Sequence, residues 1–248
     1  GSVSGASSTG IWTSIGTCTF TPNNTTLNST YVPSATEISS GSTKLILTST
    51  LNGICGLARD TMQVTITPVP TASIAATSVS VCANNPTLTV SGTIGGITTT
   101  GKWTTTGSGS FNPSNILLST NYLPSAADLL AGQVKLYLSS TNNGNCNQAK
   151  DSLLVFFTSP PNVNAGTNIS ICKNNPITVL AGVITGPTTT GVWAGGTGTF
   201  TPNNTVLTAT YIPTAAEIAA GVVNLSLTST LNGNCNQVSD NVLINFTN

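Results

Sequence analysis

TPNNTVLTATYIPTAAEIAAG, residues 201–221, is the stretch that decides the fold, because the chain of 248 residues writes it three times. The same recipe reads TPNNTTLNSTYVPSATEISSG at 21–41 and NPSNILLSTNYLPSAADLLAG at 112–132. In each copy a Pro (Pro22, Pro113, Pro202) precedes a Tyr by nine residues (Tyr31, Tyr122, Tyr211), and a second Pro, a short helix signal and a Gly follow. A Trp stands seven or eight residues ahead of Phe20, Phe111 and Phe200, and a Cys stands fourteen after the closing Gly. Trp12, Trp103 and Trp193 thereby recur with a period of about 90 residues, the size of a small domain. Three domains are expected, at 1–69, 70–160 and 161–248, with boundaries at Pro68–Pro70 and Pro160–Pro161.

The helix signals are capping boxes. Ser34 with Glu37, Ser125 with Asp128 and Thr214 with Glu217 place a hydroxyl three residues before an acid, so each can satisfy the other's backbone N–H. Gly41, Gly132 and Gly221 supply the left-handed residue that ends the turn. Elsewhere Thr and Val alternate. In the third copy the strands are expected at 168–172, 177–181, 191–194, 206–212, 222–230 and 241–246. Short strands at this spacing predict an all-β chain of three tandem immunoglobulin-like antiparallel β-sandwiches, each with one helical turn.

The first copy is short at its front. Cys82 and Cys172 lie 21 residues before their Trp, whereas Trp12 has only eleven residues ahead of it. Its first strands and their cysteine are missing, which predicts an unpaired sheet edge. Two accounts stand: a cut from a longer chain, or completion by a strand donated from elsewhere.

Six cysteines fall two per copy: Cys18 and Cys55, Cys82 and Cys146, Cys172 and Cys235. None lies within metal-ligand spacing of another and the chain has no His, so disulfides in an oxidising compartment are expected rather than zinc. Repetition selects pairing inside each copy, Cys82–Cys146 and Cys172–Cys235. Cys18, standing where the other copies have Gly109 and Gly198, serves as a substitute partner for Cys55.

Charge is sparse, 5% of residues with a formal net charge of zero, so there is no basic footprint for nucleic acid or anionic membrane. No run reaches the roughly 20 apolar residues of a membrane span. All six acids belong to the repeat: Glu37, Asp128 and Glu217 in the capping boxes, and Asp60, Asp151 and Asp240 five residues after a cysteine. No carboxylate is left over for a catalytic pair, and without His no Ser-His-Asp or Cys-His arrangement exists, so no enzyme and no cofactor are expected. A Ca²⁺ site of one capping acid and one strand Asp per copy has too few carboxylates for a hard cation. The Trp residues read as sandwich core, with an exposed sugar-stacking platform as the rival. The Thr runs at 98–100, 104–106 and 188–190 read as solvated strand faces rather than an ice-binding lattice. Asn-x-Ser/Thr sequons at Asn23, Asn24, Asn28, Asn168, Asn203, Asn224 and Asn245 are expected by chance in so Asn- and Thr-rich a chain.

The run Trp193–Phe200, with the Pro-Asn-Asn-Thr, Leu-Thr-Ser-Thr and Gly-Asn-Cys stretches that follow, resembles the tandem repeats of very large Bacteroidetes cell-surface adhesins. The nearest in style are the SprB-like gliding-motility adhesins of flavobacteria. The resemblance covers nearly all of the second and third copies and the rear of the first. It implies type IX secretion, a place at the outer surface of the cell, and an internal segment of an adhesive filament. It also implies O-glycosylation at Asp-Ser/Thr-apolar sites, which Thr61 and Ser152 occupy and Asp240-Asn241-Val242 does not. The resulting expectation is a structural and adhesive stalk whose partners are neighbouring repeats and an extracellular surface or polysaccharide. A carbohydrate-binding module using exposed aromatics is the alternative.

Overall fold

The computed structural model describes residues 1–248, and its helix is confined to three single turns of six residues. The first copy contributes β1 (Thr9–Ser14), β2 (Thr19–Thr21), β3 (Thr30–Val32), α1 (Ala35–Ser40), β4 (Ser42–Thr50) and β5 (Arg59–Thr65). The second runs β6 (Thr71–Ile74), β7 (Ser78–Cys82), β8 (Leu88–Gly95), β9 (Gly101–Thr105), β10 (Ser110–Asn112) and β11 (Ser119–Leu123). It closes with α2 (Ala126–Ala131), β12 (Gln133–Ser140) and β13 (Lys150–Thr158). The third runs β14 (Asn162–Asn164), β15 (Ile169–Cys172), β16 (Thr178–Val179), β17 (Val183–Thr185), β18 (Gly191–Ala194) and β19 (Thr199–Thr201). It ends in β20 (Thr210–Ile212), α3 (Ala215–Ala220), β21 (Val222–Ser229) and β22 (Ser239–Thr247).

The second copy forms two four-stranded sheets, ordered β7-β13-β12-β9 and β10-β11-β8-β6. The third repeats the first of these as β15-β22-β21-β18 and breaks the other into β16-β20-β19 and β14-β17. Alternation places the core. Val223, Leu225 and Leu227 of β21 are buried, as are Val242, Ile244 and Phe246 of β22, and they close on Trp193, Tyr211 and Leu180. Fully burying side chains of this size contributes about 1.5–3 kcal/mol each. The Tyr that follows the Pro in each copy pairs with a Phe, Tyr31 with Phe20 at 5.9 Å between ring centroids, Tyr122 with Phe111 at 5.2 Å and Tyr211 with Phe200 at 5.0 Å.

Two strand expectations change. The segment 206–209 is a turn, in which the Ala209 N–H reaches the Val206 carbonyl and the Leu207 carbonyl serves the Gly182 N–H and the Trp193 indole. Nor is the pairing antiparallel throughout. β7 runs parallel to β13, with Cys82 opposite Thr158, and β15 runs parallel to β22, with Cys172 opposite Thr247.

In the first copy β1-β4-β5 and β2-β3 are the only sheets, so no strand lies outside β5 where β7 lies outside β13. Trp12, Phe20, Tyr31, Leu45 and Met62 consequently line an open cleft of about 720 Å³. The chain divides into two compact units, residues 1–72, 93–100 and 140–149 in one and residues 73–92, 101–139 and 150–248 in the other. The expected boundaries lie in the links β5–β6 and β13–β14, whereas the division between the units passes through the second copy.

Candidate functional site

Two local devices carry the cysteines. The first is a loop after β4, β12 and β21, each of which carries a buried serine in its last two residues, Ser49, Ser140 or Ser229. The serine hydroxyl accepts the N–H of Ala58, Ala149 or Val238 across the loop at 2.9–3.0 Å. Asn52, Asn143 and Asn232 each donate an amide N–H to the same serine's carbonyl at 3.3 Å, while their own carbonyls accept the Cys N–H at 3.0–3.1 Å. The tight path needs left-handed residues: Leu51, Asn142 and Leu231 have φ of 57°, 55° and 53°, and Gly53, Gly144 and Gly233 follow at 61°, 58° and 59°. Cys55, Cys146 and Cys235 are thereby held at one place in three copies of one loop.

The second device is a turn at the end of β7 and β15. The Asn85 N–H reaches the Cys82 carbonyl at 2.9 Å and the Asn175 N–H reaches the Cys172 carbonyl at 3.0 Å. Residue 83 is pinned to Thr158 and residue 173 to Thr247 in the same way, at 2.9 and 2.8 Å.

The structure joins Cys82 to Cys235, with a Cα–Cα distance of 5.0 Å, and leaves Cys18, Cys55, Cys146 and Cys172 as free thiols. The pairings Cys82–Cys146 and Cys172–Cys235 are therefore corrected: the bond crosses from one copy to the next. The reason is the parallel edge strand. Cys172 sits beside the far end of β22, whereas Cys235 precedes the near end of that same nine-residue strand. A strand of that length separates its ends by about 26 Å, far beyond the roughly 7 Å limit between bridged Cα atoms. Cys18 and Cys55 are likewise kept apart. Cys18 precedes β2 at the helix-turn end of β4, and Cys55 follows the other end of that strand.

Asparagines complete the junction. The Asn236 N–H and amide donate to the Asn84 side-chain and main-chain oxygens at 3.0 and 2.7 Å, and the Asn84 amide donates to the Asn236 carbonyl at 3.1 Å. Asn85 donates to the Asn234 carbonyl and Asn234 to the Ser80 carbonyl, each at 3.4 Å. Under this cover Cys82 is fully buried. The sequence signal for it is the Asn-Cys-Asn spelling at 145–147 and 234–236, of which an expectation of pairing within a copy makes no use.

The acids are engaged. All three capping boxes form, and the Tyr122 and Tyr211 hydroxyls donate to Asp128 at 2.8 Å and to Glu217 at 2.7 Å. Burial opposes charge on Glu217, but the N–H groups of Thr214 and Thr197 and the Tyr211 hydroxyl outweigh it and bring its pKa down to about 2. The Ser34 N–H, with the Ser14, Ser34 and Thr43 hydroxyls, brings Glu37 to about 2 against a smaller opposing effect of burial. Asp128 is lowered too, against burial, by the Ser125 and Ser108 N–H groups and the Tyr122 hydroxyl. Burial, together with the neighbouring carboxylate, pushes Tyr122 and Tyr211 up to about 12. Asp151 and Asp240 accept the Ile74 and Ala165 N–H at 2.7 and 2.9 Å, tying the first strand region of each copy to its last strand. Asp60 has no such strand to hold and accepts only the neighbouring Thr61 N–H.

Trp103 and Trp193 are fully buried and present no aromatic platform; Trp12 is half-buried at the open cleft of the first copy. Thr98 and Thr188 are not solvated faces. They are buried and donate to the Thr141 and Thr230 carbonyls at 2.7 and 2.8 Å, clipping two loops together. Thr61 is exposed on β5, and Ser152 is half-buried on β13 opposite Tyr137. Asn23 and Asn203 use their side-chain oxygens to accept the N–H and hydroxyl of Thr25 and Thr205. No three His, Cys, Asp or Glu side chains converge, and no helix is long and apolar enough to cross a membrane.

No protein-family model and no curated protein sequence matches the chain. Among solved structures, the I-band fragment I67–I69 from titin is 14% identical over 96% of this chain and 88% of its own, with a TM-score of 0.51. Mouse cadherin-23 EC22–24 is 12% identical over 99% and 88%, with a TM-score of 0.41. The insect immune protein hemolin is 11% identical over 83% and 56%, with a TM-score of 0.40. The titin likeness shows the fold, tandem immunoglobulin-like β-sandwiches.

Proposed function

We propose that this chain is a stalk segment of a large surface-exposed repeat adhesin, serving surface attachment and gliding motility, with its own neighbouring repeats as its first partners. The observation that carries the structural part is the Cys82–Cys235 bond, which ties successive copies together covalently. A bond of this kind supports an oxidising, extracellular setting. Five of the six acids support the structural part as well, because Glu37, Asp128 and Glu217 are spent on capping and Asp151 and Asp240 on strand anchoring. Attachment, gliding and type IX export rest on the resemblance of the repeat run to Bacteroidetes adhesins. So does O-glycosylation, for which Thr61 is accessible.

Pulling the chain from its two ends in a single-molecule force experiment tests the load-bearing role. The bond spans a sequence separation of 153 residues, and a fully extended residue adds about 3.5 Å. The oxidised chain should extend roughly 500 Å less than the reduced one, and equal contour lengths would overturn the role. For the adhesive part, beads coated with the chain should hold to glass or to a polysaccharide gel above a control protein of matched charge. Failure on both surfaces removes the adhesive half of the reading.

A further inference from the structure

We propose that Cys172, with the Asn174–Asn175 turn, is a covalent docking site for the Asn-Cys-Asn loop of a further repeat. The Cys82–Cys235 bond is then one rung of a ladder in which the front cysteine of each repeat takes the rear-loop cysteine of the next. This goes beyond the stalk reading and stands without it.

The warrant is an occupied copy of the same site. Cys82 and Cys172 end parallel edge strands in identical register, opposite Thr158 and Thr247. Both are followed by two asparagines, and both turns close with the same backbone bonds. The receptor is therefore preformed at Cys172. What differs is cover: Cys82 is 0% exposed beneath the 232–236 loop, while Cys172, Asn174 and Asn175 are exposed.

The ligand half is preformed too. Cys146 sits in the same Asn-Gly-Asn-Cys-Asn-Gln loop as Cys235, held by the same serine and asparagine bonds. Its thiol lies 3.5 Å from the Thr67 hydroxyl. Thr67 follows Asp60 by seven residues, as Thr158 follows Asp151, so Cys146 stands where a front cysteine beside β5 would meet it. The first copy has no strand there. Cys55 differs, because Ile54 and Gly56 replace the asparagines that reach across the junction.

Closing a rung removes two protons and two electrons from two thiols and forms one S–S bond. A disulfide oxidant takes up both electrons and protons and leaves as two thiols.

The test extends the chain with a second copy of residues 160–248 fused directly after Asn248, which occupies the place of Ser159 in the register. The protein is refolded in a glutathione redox buffer and its cysteine peptides are mapped without reduction. A link from Cys172 to the added rear-loop cysteine is expected beside the Cys82–Cys235 link. If Cys82–Cys235 has formed while Cys172 stays alkylatable, or the two added cysteines pair with each other, the proposal is overturned. Should the extended chain not fold, the unextended protein is offered a peptide of residues 231–238 activated at its cysteine as a pyridyl disulfide. Cys172 should be labelled about tenfold faster than Cys55, which is also exposed, corresponding to about 1.4 kcal/mol of docking. Asn174→Ala with Asn175→Ala should abolish that preference. Equal labelling in the unsubstituted protein overturns the proposal.

Discussion

Asp128 and Glu217 show how much a single carboxylate holds together. Each joins a helical turn, a tyrosine hydroxyl and the backbone N–H of residue 108 or 197. Space for the carboxylate is made by Gly107 and Gly196, where a Cβ would run into the acid. Gly107→Ala should therefore lower stability by about 1–3 kcal/mol in chemical denaturation, the range of overpacking at a filled site. The sign with pH follows from lowered carboxylate pKa values. Glu37 and Glu217 bind their proton near 2 when folded and near 4.5 otherwise, so their contribution is complete above about 4.5 and is lost as pH falls toward 2. Tyr122 and Tyr211, raised from 10.0 to about 12, contribute below 10 and lose that contribution as pH rises to 12. Denaturation midpoints measured from pH 2 to 12 should form a plateau that falls at both ends in these windows. The capping pairs were legible in the sequence because they are local; the glycine sites were not, since only the fold brings them against the acid.

Among elements, β5 stands apart. β13 is paired on both sides, by β12 and β7, and β22 by β21 and β15, whereas β5 has β4 alone. Alternation alone would have made all three the same strand, and the missing front of the first copy was read from the spacing ahead of Trp12. Hydrogen exchange should find the β5 amides unprotected at alternate positions and fast overall, with β13 and β22 the slowest in the chain. Equal protection of the three strands would show that β5 is covered in solution. Among the helical turns, Ser125→Ala should cost about 0.5–2 kcal/mol, the usual loss of an N-cap hydroxyl.

At the scale of the molecule the disulfide dominates. A loop of 153 residues closed by one bond stabilises by about 5 kcal/mol in the chain-entropy account, more than any single side-chain contact here. Cys235→Ser should lower the thermal midpoint as much as reduction does, and reduction of the variant should then change nothing further. Alkylation of the oxidised, denatured protein should modify Cys18, Cys55, Cys146 and Cys172 and spare the other two. Modification of all six, or a Cys172–Cys235 link, would sink this topology.

By itself the sequence determined the three-fold recipe, the capped turns, the aromatic core and the incomplete first sandwich. Each of these is set by residues a few positions apart or by a period that can be counted along the chain. Only the tertiary structure decided which cysteine meets which. A parallel edge strand carries the front cysteine to the end of the sandwich opposite its own rear loop, and a nine-residue strand cannot be crossed by one bond. Chain order says that two cysteines share a repeat; the direction of one strand sends them to different neighbours.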